Sequence, residues 1–147
     1  MSDLSAFAEL VPLDNGLVVA STARADGTIQ SSVVNAGVLD HPVTGRPVVA
    51  FVASGSSRRL TNLRARPRIT IVIRAGWQWA GVEGPTEVCG PHDRLEGIDD
   101  DRRRSLLRDI FSAAGGTHDD WDEFDRVMTS ERRVAVLVEP ERTYGNS

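Results

Sequence analysis

"GLVVASTARADGTIQSSVVNAGVL", residues 16–39, decides the fold class. Two runs rich in Val, Ser and Thr flank Ala25-Asp26-Gly27, and an Asp-Gly pair supplies the positive φ that a tight antiparallel turn needs. The stretch therefore predicts two strands joined by a hairpin.

The same pattern recurs outward from it. Downstream, the polar connection DHPVTGRP leads into PVVAFVAS (47–54), an unbroken apolar run that predicts a strand buried on both faces. RITIVIR (68–74) alternates, with Ile69, Ile71 and Ile73 on one face and Thr70, Val72 and Arg74 on the other, which predicts a half-buried strand. Ala75-Gly76 turns the chain into WQWAGVEGPTEVCG (77–90), a longer, Gly-interrupted strand with Trp77 and Trp79 on a shared face. Residues 93–114 begin polar and gather Leu106, Leu107, Ile110 and Phe111 on one side, so they predict a helix ended by Gly115-Gly116. A second short helix starts near Asp120, whose spacing to Glu123 resembles a capping box. RRVAVLVEP (132–140) reads as the final strand. Upstream, residues 2–10 place Leu4, Phe7, Ala8 and Val11 at helical spacing, a short amphipathic helix suited to lidding something.

The sum is five or six hairpin-linked strands with short flanking helices, an α+β but mainly β chain with an antiparallel sheet. A sheet of this size must hide its edges, and closure into a small barrel does so. No linker or repeat divides the chain, so residues 1–147 read as one domain.

Composition removes several function classes. The lone Cys89 makes no internal bridge and reads as a small buried hydrophobe, and no secretory leader is legible, so a cytoplasmic protein is expected. No apolar run approaches the roughly 20 residues that cross a bilayer. A net charge of −4 argues against nucleic acid as the main partner. His41 and His92 fall in loops and read as solvated. The cluster His118-Asp119-Asp120-Trp121-Asp122 is read as helix capping, not a metal site, because no second His or Cys stands at ligand spacing.

GSSRRLTNLRARPR (55–68) gathers five arginines into this acidic chain. Leu60 and Leu63 share a face, Pro67 stops the helix, and Ser54, Ser56 or Ser57 can cap its start. Arg58 and Arg59 then occupy the first turn, where the helix dipole disfavours cations by about 0.3–1 kcal/mol each. An anion resolves the conflict: free N–H groups, the Ser57 hydroxyl and the arginine forks all donate to a phosphate. Arg64, Arg66 and Arg68 lie further from the start and read as solvated or structural. The stretch lacks the glycine spacing of a P-loop or a dinucleotide fold.

With these elements in order, the chain resembles the pyridoxamine 5′-phosphate oxidase-like split-barrel family, and within it the actinobacterial branch dependent on the deazaflavin coenzyme F-420. The residues that carry the likeness are the Asp26-Gly27 hairpin, S-x-[KR]-x-x-N-L-x-x-x-P-R at 57–68, G-W-x-[WY]-x-x-x-E-G at 76–84, H-x-D-W-D at 118–122, the RR pair before the last strand, and Tyr144-Gly145. The resemblance implies an FMN-binding-like split β-barrel, an antiparallel Greek-key barrel, that forms a homodimer with two sites between subunits. It puts the cofactor phosphate on Arg59, with Ser57, Arg58 and Asn62 beside it; relatives commonly carry Lys where this chain has Arg59. Ser32, Val33, Val34 and Asn35 would lie under the ring. Trp77 and Trp79 have two readings, lining the pocket, including from a partner subunit, or packing the barrel or interface. The R-x-H motif of true pyridoxamine phosphate oxidases is missing from PERTYGNS, which argues against that activity.

No nucleophile–base pair stands out in the sequence, as befits a chain whose cofactor carries the chemistry. The resemblance implies a reductase that passes a hydride from ring carbon 5 of reduced F-420 to a conjugated organic acceptor, with the proton taken from solvent or an ordered water. FMN in the same groove is the enzymatic alternative, and a deazaflavin-binding or storage protein the non-enzymatic one. The catalytic residues and the substrate are not named by the sequence.

Overall fold

The computed structural model describes residues 3–146. Seven strands are formed: β1 Leu17–Ala23, β2 Ile29–Asp40, β3 Pro47–Ala53, β4 Arg68–Ala75, β5 Gln78–Cys89, β6 Val134–Val138 and β7 Arg142–Gly145. Four α-helices accompany them: α1 Ser5–Leu10, α2 Arg58–Ala65, α3 Asp100–Ala113 and α4 Trp121–Ser130.

The β1–β2 hairpin forms as its turn residues dictate. Gly27 takes φ +86°, and Asp26 accepts from the Thr28 N–H at 3.0 Å and the Thr28 hydroxyl at 2.6 Å. Those bonds hold the Asp26 carboxyl below the usual carboxylate range, the hydroxyl contributing most.

Strand order is β4-β1-β2-β3-β6-β5, and an additional β4–β5 ladder closes the ring into an antiparallel barrel. β4 returns beside β1, so β1 to β4 form a Greek key. The two long strands make the barrel split. β2 pairs with β1 through residues 29–35 and with β3 through 36–40, while β5 pairs with β4 through 78–85 and with β6 through 86–89. Each leaves one sheet and enters the other.

The interior holds Ile69, Ile71 and Ile73, as the alternation in β4 requires, together with Val18, Phe51 and Val136. Leu60 and Leu63 of α2 enter the same core, and α1 packs against β4 and β5 with Leu4, Phe7, Leu10 and Val11 buried. The expected N-terminal helix thus lids the barrel itself; its residue 2 lies outside the described residues, and Ala8 is only half-buried. A second apolar layer joins the outer side of β3 and β6 to Leu106, Leu107, Ile110 and Phe124 of α3 and α4. β3 and β6 are therefore covered on both faces, the physical reason for their unbroken apolar runs.

Four expectations are corrected. β7 follows what reads as the final strand: it is four residues of mixed polarity, held by its ladder to β5, and carries no periodic signal. Residues 93–99 precede the helix rather than open it, because Gly97 takes φ +88° and Asp99 is the cap, accepting from the Arg102 N–H at 2.7 Å. His41 is buried, not solvated. Its Nδ1 accepts from the Val43 and Thr44 N–H groups at 3.1 and 3.2 Å and its Nε2 lies 2.7 Å from Glu87 Oε1, so it closes the β2–β3 turn. Trp77 lies in the β4–β5 turn before the strand begins and is almost wholly exposed, whereas Trp79 packs edge-on to Tyr144 at 6.1 Å. Cys89 is buried as expected, and burial pushes its thiol pKa up.

Candidate functional site

Ser57 caps α2, its hydroxyl accepting from the Leu60 N–H at 3.3 Å. Because Leu60 and Leu63 anchor the helix in the barrel core, the adjacent Arg59 is carried half into the protein while Arg58 stays exposed. Arg59 Nη1 donates to the Ser32 hydroxyl on β2 at 3.0 Å, and its guanidinium lies 5.9 Å from the Phe51 ring centre. No acid meets it. Its Nε is buried without a hydrogen-bond partner among the described residues. Burial, and then the neighbouring Arg133, pull the Arg59 pKa below its usual value. A half-buried cation beside a second cation, at a helix N-terminus, is an arrangement that an anion would relieve.

Arg59 and Arg133 face one cavity of about 450 Å³. Its strand side is Val33, Val34 and Val52; its helix side is Phe111, Phe124 and Met128; Asn15 and Asn35 add neutral polar groups. The volume lies in the range of small-molecule sites. The helix side is held from behind. His118 and Trp121 pack against Phe111 and Phe124 with ring centres 5.2–6.3 Å apart, and Arg108 Nε donates to Asp125 at 3.0 Å, tying α3 to α4. In the acidic cluster, Asp120 caps α4 by accepting from the Glu123 N–H, and His118 Nδ1 accepts from the Asp120 N–H.

The sequence-derived candidates separate here. Val33, Val34, Asn35 and Arg59 line the cavity, Ser32 holds Arg59, and Ser57 starts the helix. Asn62 has a different position: it is buried, and its Nδ2 donates to Thr22 Oγ1 at 3.1 Å and Gln30 Oε1 at 3.0 Å, bracing α2 against β1 and β2. Arg58, Trp77 and Trp79 do not line this cavity. Arg64, Arg66 and Arg68 are structural, bonded to Asp93, the Ala23 carbonyl and Glu141 respectively. Asn15, Phe111, Phe124, Met128 and Arg133 belong to the site without having been singled out for it. For Arg133 the available signal was the RR pair before the last strand.

The lining contains no Ser, Cys, His, Asp or Glu among the described residues. These side chains can bind and orient a ligand, but they offer no nucleophile and no acid–base pair.

A closed six-strand ring with two strands shared between its halves is the split barrel of pyridoxamine 5′-phosphate oxidase-like, FMN-binding proteins. No family model matches the sequence. Among solved structures, the chain is similar to a conserved hypothetical protein of Mycobacterium tuberculosis (TM-score 0.68, 16% identity, covering 99% of this chain and 84% of that one). It is similar to an F-420 reductase (TM-score 0.61, 15% identity, covering 92% and 94%). It is also similar to a pyridoxamine 5′-phosphate oxidase-related FMN-binding protein of Nostoc punctiforme (TM-score 0.65, 10% identity, covering 99% and 84%). What is shared at these identities is the fold.

Proposed function

We propose that this chain is an F-420-dependent reductase acting on a conjugated organic acceptor. The observation that carries the reading is the Arg59 guanidinium, half-buried at a helix start with an unpartnered Nε and with Arg133 beside it, at one end of an apolar-walled cavity. The residues fit a phosphate-bearing tricycle: the Arg59 and Arg133 guanidinium groups for the anion, Val33 and Val52 on the strand side, and Phe111 and Phe124 on the helix side. The F-420 reductase among the structural neighbours supports the choice of ring.

When bound, reduced deazaflavin supplies a hydride. The chain's own residues have the remaining tasks. Arg59 and Arg133 would bind the anion, Ser32 would fix the Arg59 fork, and the valine and phenylalanine walls would orient the ring. With no carboxylic acid, His, Cys or Ser in the lining among the described residues, the proton would come from solvent. FMN is a second reading, favoured by the FMN-binding neighbour and by the same anion site.

The protein works as a homodimer in this reading. Leu17, Val19, Ile29 and Val33 stand exposed on the β1–β2 surface, an apolar stripe that a second copy would cover. The exposed Trp77 would then be available to the partner's site.

Titrating purified protein with F-420 and with FMN, following fluorescence quenching, tests the cofactor. Saturable F-420 binding, with oxidation of reduced F-420 in the presence of quinones or other conjugated carbonyl compounds, is the expected result. Tight binding without turnover on any acceptor would indicate a storage protein, and binding of FMN alone would overturn the deazaflavin assignment.

A further inference from the structure

Two asparagines line the same cavity as the arginines. Asn15 has φ +53°, one of two non-glycine residues in the left-handed region among those described. Its backbone carbonyl accepts from Asn35 Nδ2 at 2.8 Å. That bond uses one group of each residue and leaves the Asn15 carboxamide and Asn35 Oδ1 with no hydrogen-bond partner among the described residues. Both residues line the cavity. The Asn15 carboxamide lies against its wall, since a Cβ on Gly115 would stand 3.5 Å from Asn15 Oδ1.

Position along β2 sets the spacing. Asn35 is three residues beyond Ser32, the residue that holds Arg59, and a strand rises about 3.3 Å per residue. The backbone positions of Ser32 and Asn35 are therefore about 10 Å apart along β2, with Val33 and Val34 between them. A ligand suited to this arrangement has an anion at one end, a flat apolar body, and at the other end a ring edge that offers both a hydrogen-bond donor and acceptors.

We propose that Asn15, backed by Asn35, is a specificity-determining residue that reads the imide edge of the ring. The Asn15 amide N–H donates to a ring carbonyl, and an asparagine Oδ1 accepts the imide N–H. This rests on the deazaflavin reading above and adds to it which edge of the ring lies at Asn15 and Asn35. The competing explanation is conformational: asparagine tolerates the left-handed region well and could serve only to make the turn into Gly16. Glycine makes that turn equally well, so Asn15→Gly separates the two.

The experiment compares F-420 with F-420 methylated at the imide nitrogen, by fluorescence titration of the wild-type protein and of Asn15→Gly. The wild type is expected to bind F-420 about tenfold more tightly than the methylated form, and Asn15→Gly to lose about five- to tenfold in F-420 affinity together with most of that discrimination. Equal binding of the two ligands by the wild type overturns the inference, and that comparison holds even if the variant folds poorly. So does an Asn15→Gly protein that retains both affinity and discrimination. A wild-type protein that binds no F-420 overturns the proposed function itself, before any variant is compared.

Discussion

Arg59 and Arg133 line one cavity although α2 carries the first and the turn before β6 the second. Arg133 has the exposed Glu131 as partner at 2.9 Å, while Arg59 has only the Ser32 hydroxyl and a buried, unpartnered Nε. Folding has thus gathered two cations at one cavity, of which Arg133 is paired with a carboxylate and Arg59 is bonded to a neutral hydroxyl. Sites arranged for a ligand commonly trade stability for binding in this way.

Arg59→Met should leave the melting temperature of the ligand-free protein unchanged or raise it, because it removes a half-buried cation from beside Arg133. Loss of charge-assisted hydrogen bonds worth about 1.5–3 kcal/mol should weaken F-420 about 10- to 150-fold, and Arg59→Glu should abolish binding. Thermal melts and titrations on the same samples check both; unchanged affinity in Arg59→Glu would remove the phosphate role.

Gly55 lets the β3–α2 loop approach the Arg132–Arg133 segment. A Cβ there would stand 2.5 Å from the Arg132 carbonyl oxygen and 2.9 Å from its Cβ. Gly55→Ala should push the two arginine-bearing segments apart, lowering stability by about 1–3 kcal/mol and weakening anion binding without touching any ligand contact. Urea unfolding together with F-420 titration measures the two effects.

Asn62 resembles a cofactor residue in sequence and braces the barrel in structure. Asn62→Ala leaves Thr22 and Gln30 without their shared donor, so a loss of about 1–3 kcal/mol in stability is expected. F-420 affinity of the folded fraction should change by less than about threefold. A large affinity loss at unchanged stability would return Asn62 to the binding site.

Tyr144 is the only tyrosine of the chain, so its titration can be followed by ultraviolet absorbance without overlap. Burial and a 2.7 Å hydrogen bond to Glu83 raise its pKa to about 12. The folded group holds its proton more tightly than the unfolded one, which titrates near about 10. Its contribution to stability is therefore complete below pH 10 and disappears as pH rises toward 12. In Glu83→Gln the titration should move down toward the ordinary phenol value.

Phe7 fills the barrel mouth from α1 and is fully buried. Phe7→Ala should cost about 3–5 kcal/mol, as large-to-small changes in packed cores do. Binding by the folded fraction should persist, because the cavity lies on the other side of β2 and β3, under α3 and α4.

The sequence by itself determined whatever nearest neighbours along the chain decide. Gly27 and Asp26 make the hairpin turn, the isoleucines of β4 choose its inner face, a serine among Ser54, Ser56 and Ser57 and the residue Asp120 start their helices, and doubly covered β3 reads as continuous apolar sequence. Each depends on a period or a cap a few residues long. The tertiary structure alone decided the rest. β7 exists because β5 offers it an edge, and His41 is buried because Glu87, Val43 and Thr44 satisfy its ring. Asn62 turns inward because Thr22 and Gln30 meet it. The site forms where α2, the end of α3, the turn before β6 and the middle of β2 converge. No local pattern marks Asn15 as a member, and the RR pair that contains Arg133 does not say what it faces, because what joins them to Asn35 and Arg59 is ring closure of the barrel, which brings distant segments together through backbone ladders that carry no side-chain signature.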